Sequence, residues 1–455
     1  MKFLLSFLLL FPVAQLWAQD LSHDQALADL QQLKQAILDY QPTLDAYQPG
    51  FEEAATDLLA RLPEDSISYI QFFQFASKLA SLGQEGHYAM GTWQDTVHSG
   101  FLNDEFRYLP ISVKIIDGRL FVAIDNSVEQ SLKKGAEIIR INGREPVEVL
   151  KKLYATLPSD GTITTYQDRK IEEGFSWMYY LFVDQREEHD FTVRDLEGNQ
   201  QEIRIRALTR TAQLANYQRL NSARTDGASD ESSGFYQLEF KGASAVLALP
   251  SFDRRRVEKH GVTPKKLYKG LFQDFHDRDI QQLVIDLRGN TGGLNEFADG
   301  IVPFIQQAGA SAPFLKRTIS WAGKERTYKF PKPSKWAFQG AIYVLVDGQT
   351  YSAGSTLARY LKEFGRATVI GEETGTRYEG FAAGSKQYIR LNHSQIRIGV
   401  PRYHILFPSS SLQTTQNHGL MPDLKVGVTV DTWLAGRDVV MEQVMEMMAG
   451  QVQDR

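Results

Sequence analysis

Ser352 is the residue best placed by its surroundings to act as a nucleophile. It lies in AIYVLVDGQTYSAGSTLARYLKEFGR (341–366), where the apolar, β-branched run from Ala341 to Val346 stops at Asp347-Gly348 and reads as a buried strand. From Ser352 onward, Ala353, Leu357, Tyr360, Leu361 and Phe364 fall at helical spacing. The serine therefore occupies a tight strand-to-helix turn, at a helix N-terminus whose first amides lack intrahelical acceptors. An oxyanion formed beside its Oγ would meet such an amide, most simply that of Ala353. Ala353 and Gly354 are small enough to let a carbonyl approach. The plainer alternative is a serine that merely caps the helix. His87 is the second candidate. It follows a predicted helix ending at Gly83 and sits in QEGHYAM, a loop that can aim a side chain at a cleft; an ordinary surface histidine is the alternative. A second strand-to-helix turn, DLRGNTGG (286–293), offers further free amides but has neither GxGxxG nor Walker spacing, which argues against a nucleotide site.

Composition narrows the classes. A chain of 455 residues predicts two or three domains, and 26 Phe with 19 Tyr in a 42% hydrophobic sequence supports real cores. A net charge of -5 gives no electrostatic case for nucleic acid or acidic membranes. With no cysteine, disulfides, zinc-thiolate sites, iron-sulfur clusters and a cysteine nucleophile are excluded. No HExxH or comparable ligand spacing occurs, so no metal and no cofactor are expected. The start, MKFLLSFLLLFPVAQLWAQ, has one lysine, an apolar core from Phe3 to Leu16, and then small or polar residues. It reads as a signal peptide over 1–19, cut near Ala18 or Gln19, with an uncleaved anchor as the alternative. The expectation is an exported protein, periplasmic or extracellular, with no membrane span after signal removal.

Four further regions must position the candidate residues. Residues 20–106 carry three runs at helical spacing, ALADLQQLKQAILDY, FEEAATDLLARL and ISYIQFFQFASKLASLG, and so predict a helical region bearing the Gly-His loop. Over 107–208, ISVKIIDGRLFVAID and FTVRDLEGNQQEIRIRAL predict hairpins. Between them, KKGAEIIRINGREPVEVLKKL (133–153) resembles the strand, Asn-Gly turn and helix of a PDZ domain. That resemblance implies a PDZ-like β-rich domain, without a clear carboxylate-binding loop. Residues 209–234 predict a linker, polar and aperiodic between Asn221 and Gly234. Strand and helix patterns alternate over 235–432, which predicts an α/β core of βα units, and 433–455 predicts a C-terminal helix. The aromatic and basic stretch WAGKERTYKFPKPSKW (321–336) reads as a hairpin flap over a cleft or as an exposed loop.

VIDLRGNTGG (284–293), VLVDGQTYSAGSTLARYLKEFGRATVIGEETGT (344–376) and GLMPDLKV (419–426) together resemble the tail-specific, or C-terminal processing, serine protease family. The order of regions is similar to its tricorn-like branch. The resemblance implies a ClpP/crotonase-like core, Ser352 as nucleophile, and an oxyanion hole made by the amide of Ala353 and one from Gly292 or Gly293. It also implies peptide or unfolded-protein substrates. One branch of that family uses a lysine where this chain has Arg377, and a guanidinium stays charged and accepts no proton near neutrality. The other branch uses a histidine in a Gly-His loop, which His87 supplies, and an imidazole can take the Ser352 proton and pass it on. The acidic partner of that branch aligns with Gln416 or Asn417, so an amide is the possible orienting group. Glu85 precedes the Gly-His pair and is read as a solvated charge, with help to His87 as the alternative, and Asp423 is read as structural.

Two other readings stand beside this one. A non-catalytic peptide- or lipid-binding protein on the same fold is one. The other is an esterase with His418 as base, although Thr350 stands where its elbow wants glycine. His404 is read as a surface or core residue.

Overall fold

Strand Ala341–Val346 lies in the middle of a six-stranded sheet. Its order is Leu424–Lys425, Thr368–Gly371, Ala341–Val346, Gln282–Asp286, Ser244–Ala248, Gln237–Lys241, with only the last pair antiparallel. In this computed structural model residues 20–90, 102–221, 234–307, 312–413 and 415–453 are described; the signal-peptide expectation for 1–19 falls outside them. Both faces of the central strands are covered, which is why their sequences are continuous apolar runs rather than alternating ones. Leu283, Ile285, Val344 and Val346 pack under helices Pro264–Asp277, Asn295–Ile305 and Ala353–Gly365. On the opposite face, Val284, Tyr343, Leu345 and Ile370 meet Val440, Val444 and Met448 of helix Val439–Gln453. Each such residue taken fully out of water contributes about 1.5–3 kcal/mol.

A second, antiparallel sheet runs Ala89–Met90, Arg397–Leu406, Lys316–Ser320, Glu325–Tyr328, with Gly380–Arg390 also paired to Arg397–Leu406. Its two-residue strand begins two residues after His87 and pairs Ala89 with Gly399, tying the Gly-His loop to the C-terminal half of the chain. The stretch beginning at Trp321 forms the turn and outer strand of a hairpin on this sheet.

The third sheet is five antiparallel strands in sequence order: Ile111–Ile116, Arg119–Asp125, Glu137–Ile141, Glu188–Arg194 and Gln200–Arg206. Asn142 and Gly143 both take positive φ (52° and 79°) in the tight turn after the third strand, a conformation their types tolerate. Helices Pro146–Tyr154 and Thr164–Phe182 pack on this unit. The second was not anticipated, because its first half, TTYQDRKIEE, is polar and Gly174 interrupts it at φ -134°, ψ 19°. Helices His23–Tyr40, Phe51–Leu59 and Tyr69–Leu82 coincide with the three helical runs of the N-terminal region. Leu30, Phe72, Ile138, Phe175 and Phe191 belong to one buried cluster, so these helices share a core with the third sheet. Helix Arg210–Asn221 occupies the first half of the stretch expected to be a linker, with no apolar stripe to betray it. No helix among the described residues is long and apolar enough to cross a membrane.

Candidate functional site

Asp347 joins the two strand-to-helix turns. Its carboxylate accepts the Gly289 amide at 3.0 Å from one turn, and those of Gln349 (3.0 Å) and Thr350 (2.9 Å) from the other. Thr350 Oγ1 donates to the Leu287 carbonyl (2.9 Å), and the Tyr351 amide to the Asn290 carbonyl (2.9 Å). The turn so held forces Ser352 to φ 53°, ψ -119°. For a residue with a Cβ this region costs on the order of 1–3 kcal/mol and persists only where the surroundings over-determine it. Ser352 stands at the N-cap position of helix Ala353–Gly365, yet its side chain makes no cap bond. Its amide donates instead to Thr376 Oγ1 (2.6 Å). The hydroxyl is thus partly exposed and committed to nothing among the described residues.

Gly292 and Gly293 lie against this serine at φ 89° and 131°, both in the region that favours glycine. A Cβ on Gly292 would stand 2.8 Å from the Ala353 nitrogen and 2.9 Å from Ser352 Cβ, so the two turns touch at Ser352. The Gly292 amide is engaged by Asn290 Oδ1 (2.8 Å). The Gly293 and Ala353 amides have no acceptor among the described residues, which separates the two glycines that the sequence left as alternatives. Gly354 has a different reason to be small, since a Cβ there would come 2.5 Å from the Asn290 carbonyl oxygen.

His87 is brought to the neighbour of Ser352. Its ring stacks on Tyr351 at 4.6 Å between centroids and on Phe381 at 5.2 Å. Nδ1 lies 2.8 Å from the Tyr351 hydroxyl and 3.3 Å from Glu85 Oε1. A carboxylate beside Nδ1 favours the tautomer with the proton on that atom, leaving Nε2 as a bare acceptor. Nε2 is buried without a partner, and no hydrogen bond joins it to Ser352 Oγ. Burial presses the His87 pKa down to about 4, against the raising influence of Asp160.

Sequence reasoning missed part of what surrounds this imidazole. Glu85, read as a solvated charge, is fully buried, and its Oε2 accepts the Ala382 amide at 2.7 Å. Asp160, also fully buried, accepts the Gly86 amide (2.7 Å) on one oxygen and the Arg377 amide (3.1 Å) on the other. Burial, then the charge of Glu85, push Asp160 up to about 7, and burial raises Glu85 as well. Asp160 carries no sequence signal, being a turn residue in PSDG whose partners lie far away in the chain. Glu85, immediately before the Gly-His pair, did carry one. Arg377 is buried too. It donates to the Gln84 carbonyl (2.7 Å), lies over the Tyr47 ring at 4.1 Å, and places its charge 4.0 Å from Glu85. Gln416, the possible orienting group, is exposed and forms no hydrogen bond with His87; Glu85 and Tyr351 hold that place instead. Asn417 donates its amide to Glu379 (3.0 Å). His418 pairs with Glu373 (3.0 Å), His404 is buried against Tyr47 (3.1 Å), and Asp423 binds Lys362 (2.7 Å) and the Val369 amide (2.8 Å).

Glu85, His87 and Asp160 bring three potential metal-ligand atoms within 4.8 Å of one another. Both Asp160 oxygens are already hydrogen-bonded, and the buried guanidinium neutralises the cluster, so a cation would have to displace bonds and oppose a charge. Arg377→Met is expected to lower stability at pH 7 by about 3–5 kcal/mol, since it leaves the buried Glu85–Asp160 pair without its counter-charge. Those carboxylates can escape by taking up protons, so the deficit should shrink toward pH 5. Urea midpoints at the two pH values check this, and equal midpoints for variant and wild type would contradict it.

Residues 243–426 match the model of peptidase family S41. No curated protein sequence matches the chain. Among solved structures, mature CPAF complexed with lactacystin is similar, at TM-score 0.65 and 13% identity over 95% of this chain and 100% of that one. Mature CPAF alone gives 0.60 and 14% over 90% and 94%. At such identities the likeness concerns the fold, which the two chains share nearly end to end. The family match covers about two fifths of the chain and takes in both strand-to-helix turns, so this region is similar to peptidase family S41, the tail-specific serine peptidases.

Proposed function

We propose that this protein hydrolyses peptide bonds through an acyl-enzyme on Ser352, with His87 as general base. The observation carrying this is the strained turn, which holds an uncommitted hydroxyl beside two amides without acceptors. In the reading, His87 Nε2 takes the Oγ proton as Oγ attacks the carbonyl carbon, and the oxyanion is met by the Ala353 and Gly293 amides. The proton then passes to the leaving nitrogen as the C–N bond breaks, and water, deprotonated by the same imidazole, releases the acyl group. Each oxyanion donor is worth about 3 kcal/mol in the transition state. Glu85, Asp160 and Tyr351 act as positioning residues, setting the loop, ring and tautomer of His87. The separation of Nε2 and Oγ does not oppose this, because such bonds often tighten only when substrate binds. Export belongs to the same proposal and rests on the leader-like residues 1–19.

A fluorophosphonate probe tests the reading. One adduct per chain, on the peptide containing Ser352, is expected. Intact mass without an adduct, or an adduct elsewhere, would overturn it and favour a binding protein on this fold.

A further inference from the structure

Helix Tyr69–Leu82, the loop before His87 and the kinked helix Thr164–Phe182 enclose a cavity of about 390 Å³. Its apolar wall is made by Phe73, Leu157, Trp177, Met178 and Phe182, and Gly86, the residue before His87, also lines it. The kink at Gly174 shapes it. A Cβ there would fall 2.5 Å from the Trp177 indole nitrogen, so the absent side chain lets the indole fold back against the helix. Tyr166 also lines the cavity, and its ring stacks on Tyr351 at 4.4 Å, which stacks in turn on His87 at 4.6 Å. Two stacked rings, Tyr166 and Tyr351, thus lead from the cavity to the imidazole.

We propose that this cavity is the specificity pocket of the peptidase site, receiving a large aromatic or long aliphatic side chain next to the scissile bond. The proposal rests on the peptidase reading above and adds the substrate class. Chemistry selects that class, because the charged groups and most of the polar groups of the wall are already engaged. Lys170 pairs with Glu173 (2.6 Å), Gln167 donates to the Tyr154 (3.0 Å) and Leu157 (2.6 Å) carbonyls, and Tyr88 bonds Gln41. No free charge or donor is left at these positions to recruit an acidic, basic or strongly polar side chain. The volume falls in the range of pockets that take small ligands.

The test uses the full chain without residues 1–19 and a peptide series placing Ala, Leu, Phe or Trp at each of the two positions flanking the scissile bond. At one of them, kcat/KM for Phe over Ala is expected to be about 10- to 200-fold, the range that an apolar pocket supplies. Leu157→Trp, which fills the cavity from a partly exposed position, should collapse that ratio to within about 3-fold. Trp177→Ala, which enlarges it, should move the preference toward Trp. Thermal melting and fluorophosphonate labelling of both variants establish that they fold and keep a reactive serine. A labelled wild-type enzyme that cleaves with a flat ratio, or a ratio indifferent to both variants, overturns the pocket and leaves the peptidase reading intact. Absence of both labelling and cleavage overturns the peptidase reading, and this proposal with it.

Discussion

Ser352→Ala should lower kcat for peptide hydrolysis by about 10⁴- to 10⁶-fold, with little change in the urea midpoint. The hydroxyl makes no hydrogen bond among the described residues, so deleting it removes no structural contact, while the turn is held by Asp347, Thr350 and the Tyr351 amide. The strain at φ 53° remains, because alanine also carries a Cβ. A small residual rate over water is compatible with the remaining amides and binding surfaces. Single-turnover assays and fluorophosphonate labelling measure the loss. Activity within tenfold of wild type would remove Ser352 from the chemistry.

His87→Ala should cost a comparable factor, because a nucleophile and its base act as one unit and their losses do not add. The double variant with Ser352→Ala is therefore expected to be no slower than the single variants. The pH profile carries an independent signature. Burial depresses the imidazole to about 4, so its neutral, proton-accepting form persists well below the ordinary histidine range. The acid limb of kcat/KM should therefore lie near pH 4 rather than near 6.5. The same shift makes a statement about stability, with the sign fixed by linkage. Below pH 6.5 the unfolded chain binds a proton that the folded chain refuses until about pH 4, so this group's contribution falls as pH drops through that window. His87→Ala should flatten the corresponding part of the stability curve. His418, paired with Glu373, is the control. If His418→Ala abolishes activity while His87→Ala leaves it, the base has been misassigned.

How far the sequence could be read follows from the range of the interactions involved. The parallel strands were legible because burial on both faces demands an unbroken apolar run, as in Ala341 to Val346. The turn at Ser352 was legible because strand, Asp-Gly and helix signals are all local. Helix Thr164–Phe182 was not, since a polar half and a glycine break hide its stripe. Helix Arg210–Asn221 was not, since it shows no stripe at all. Asp160 was beyond reach for another reason. Its importance lies in a hydrogen bond to Gly86 and another to Arg377, and nothing near position 160 announces either. Gln416 was chosen by alignment with a family pattern, but the geometry gives the space beside the imidazole to Glu85, which lies two residues away in the same loop.

In the proposed reading the nucleophile and the oxyanion amides share one pair of turns, interlocked through Asp347 and Asn290. The proposed base arrives from the far end of the sequence, on a loop pinned to Asp160 and, through Ala89, Glu85 and Gln84, to Gly399, Ala382 and Arg377 of the half that carries Ser352. Loosening those pins by about 1 Å is enough to cost such a base roughly 100-fold while the strained serine stays as it is. A protein built this way can fall silent through one slack loop, its reactive turn still fully assembled.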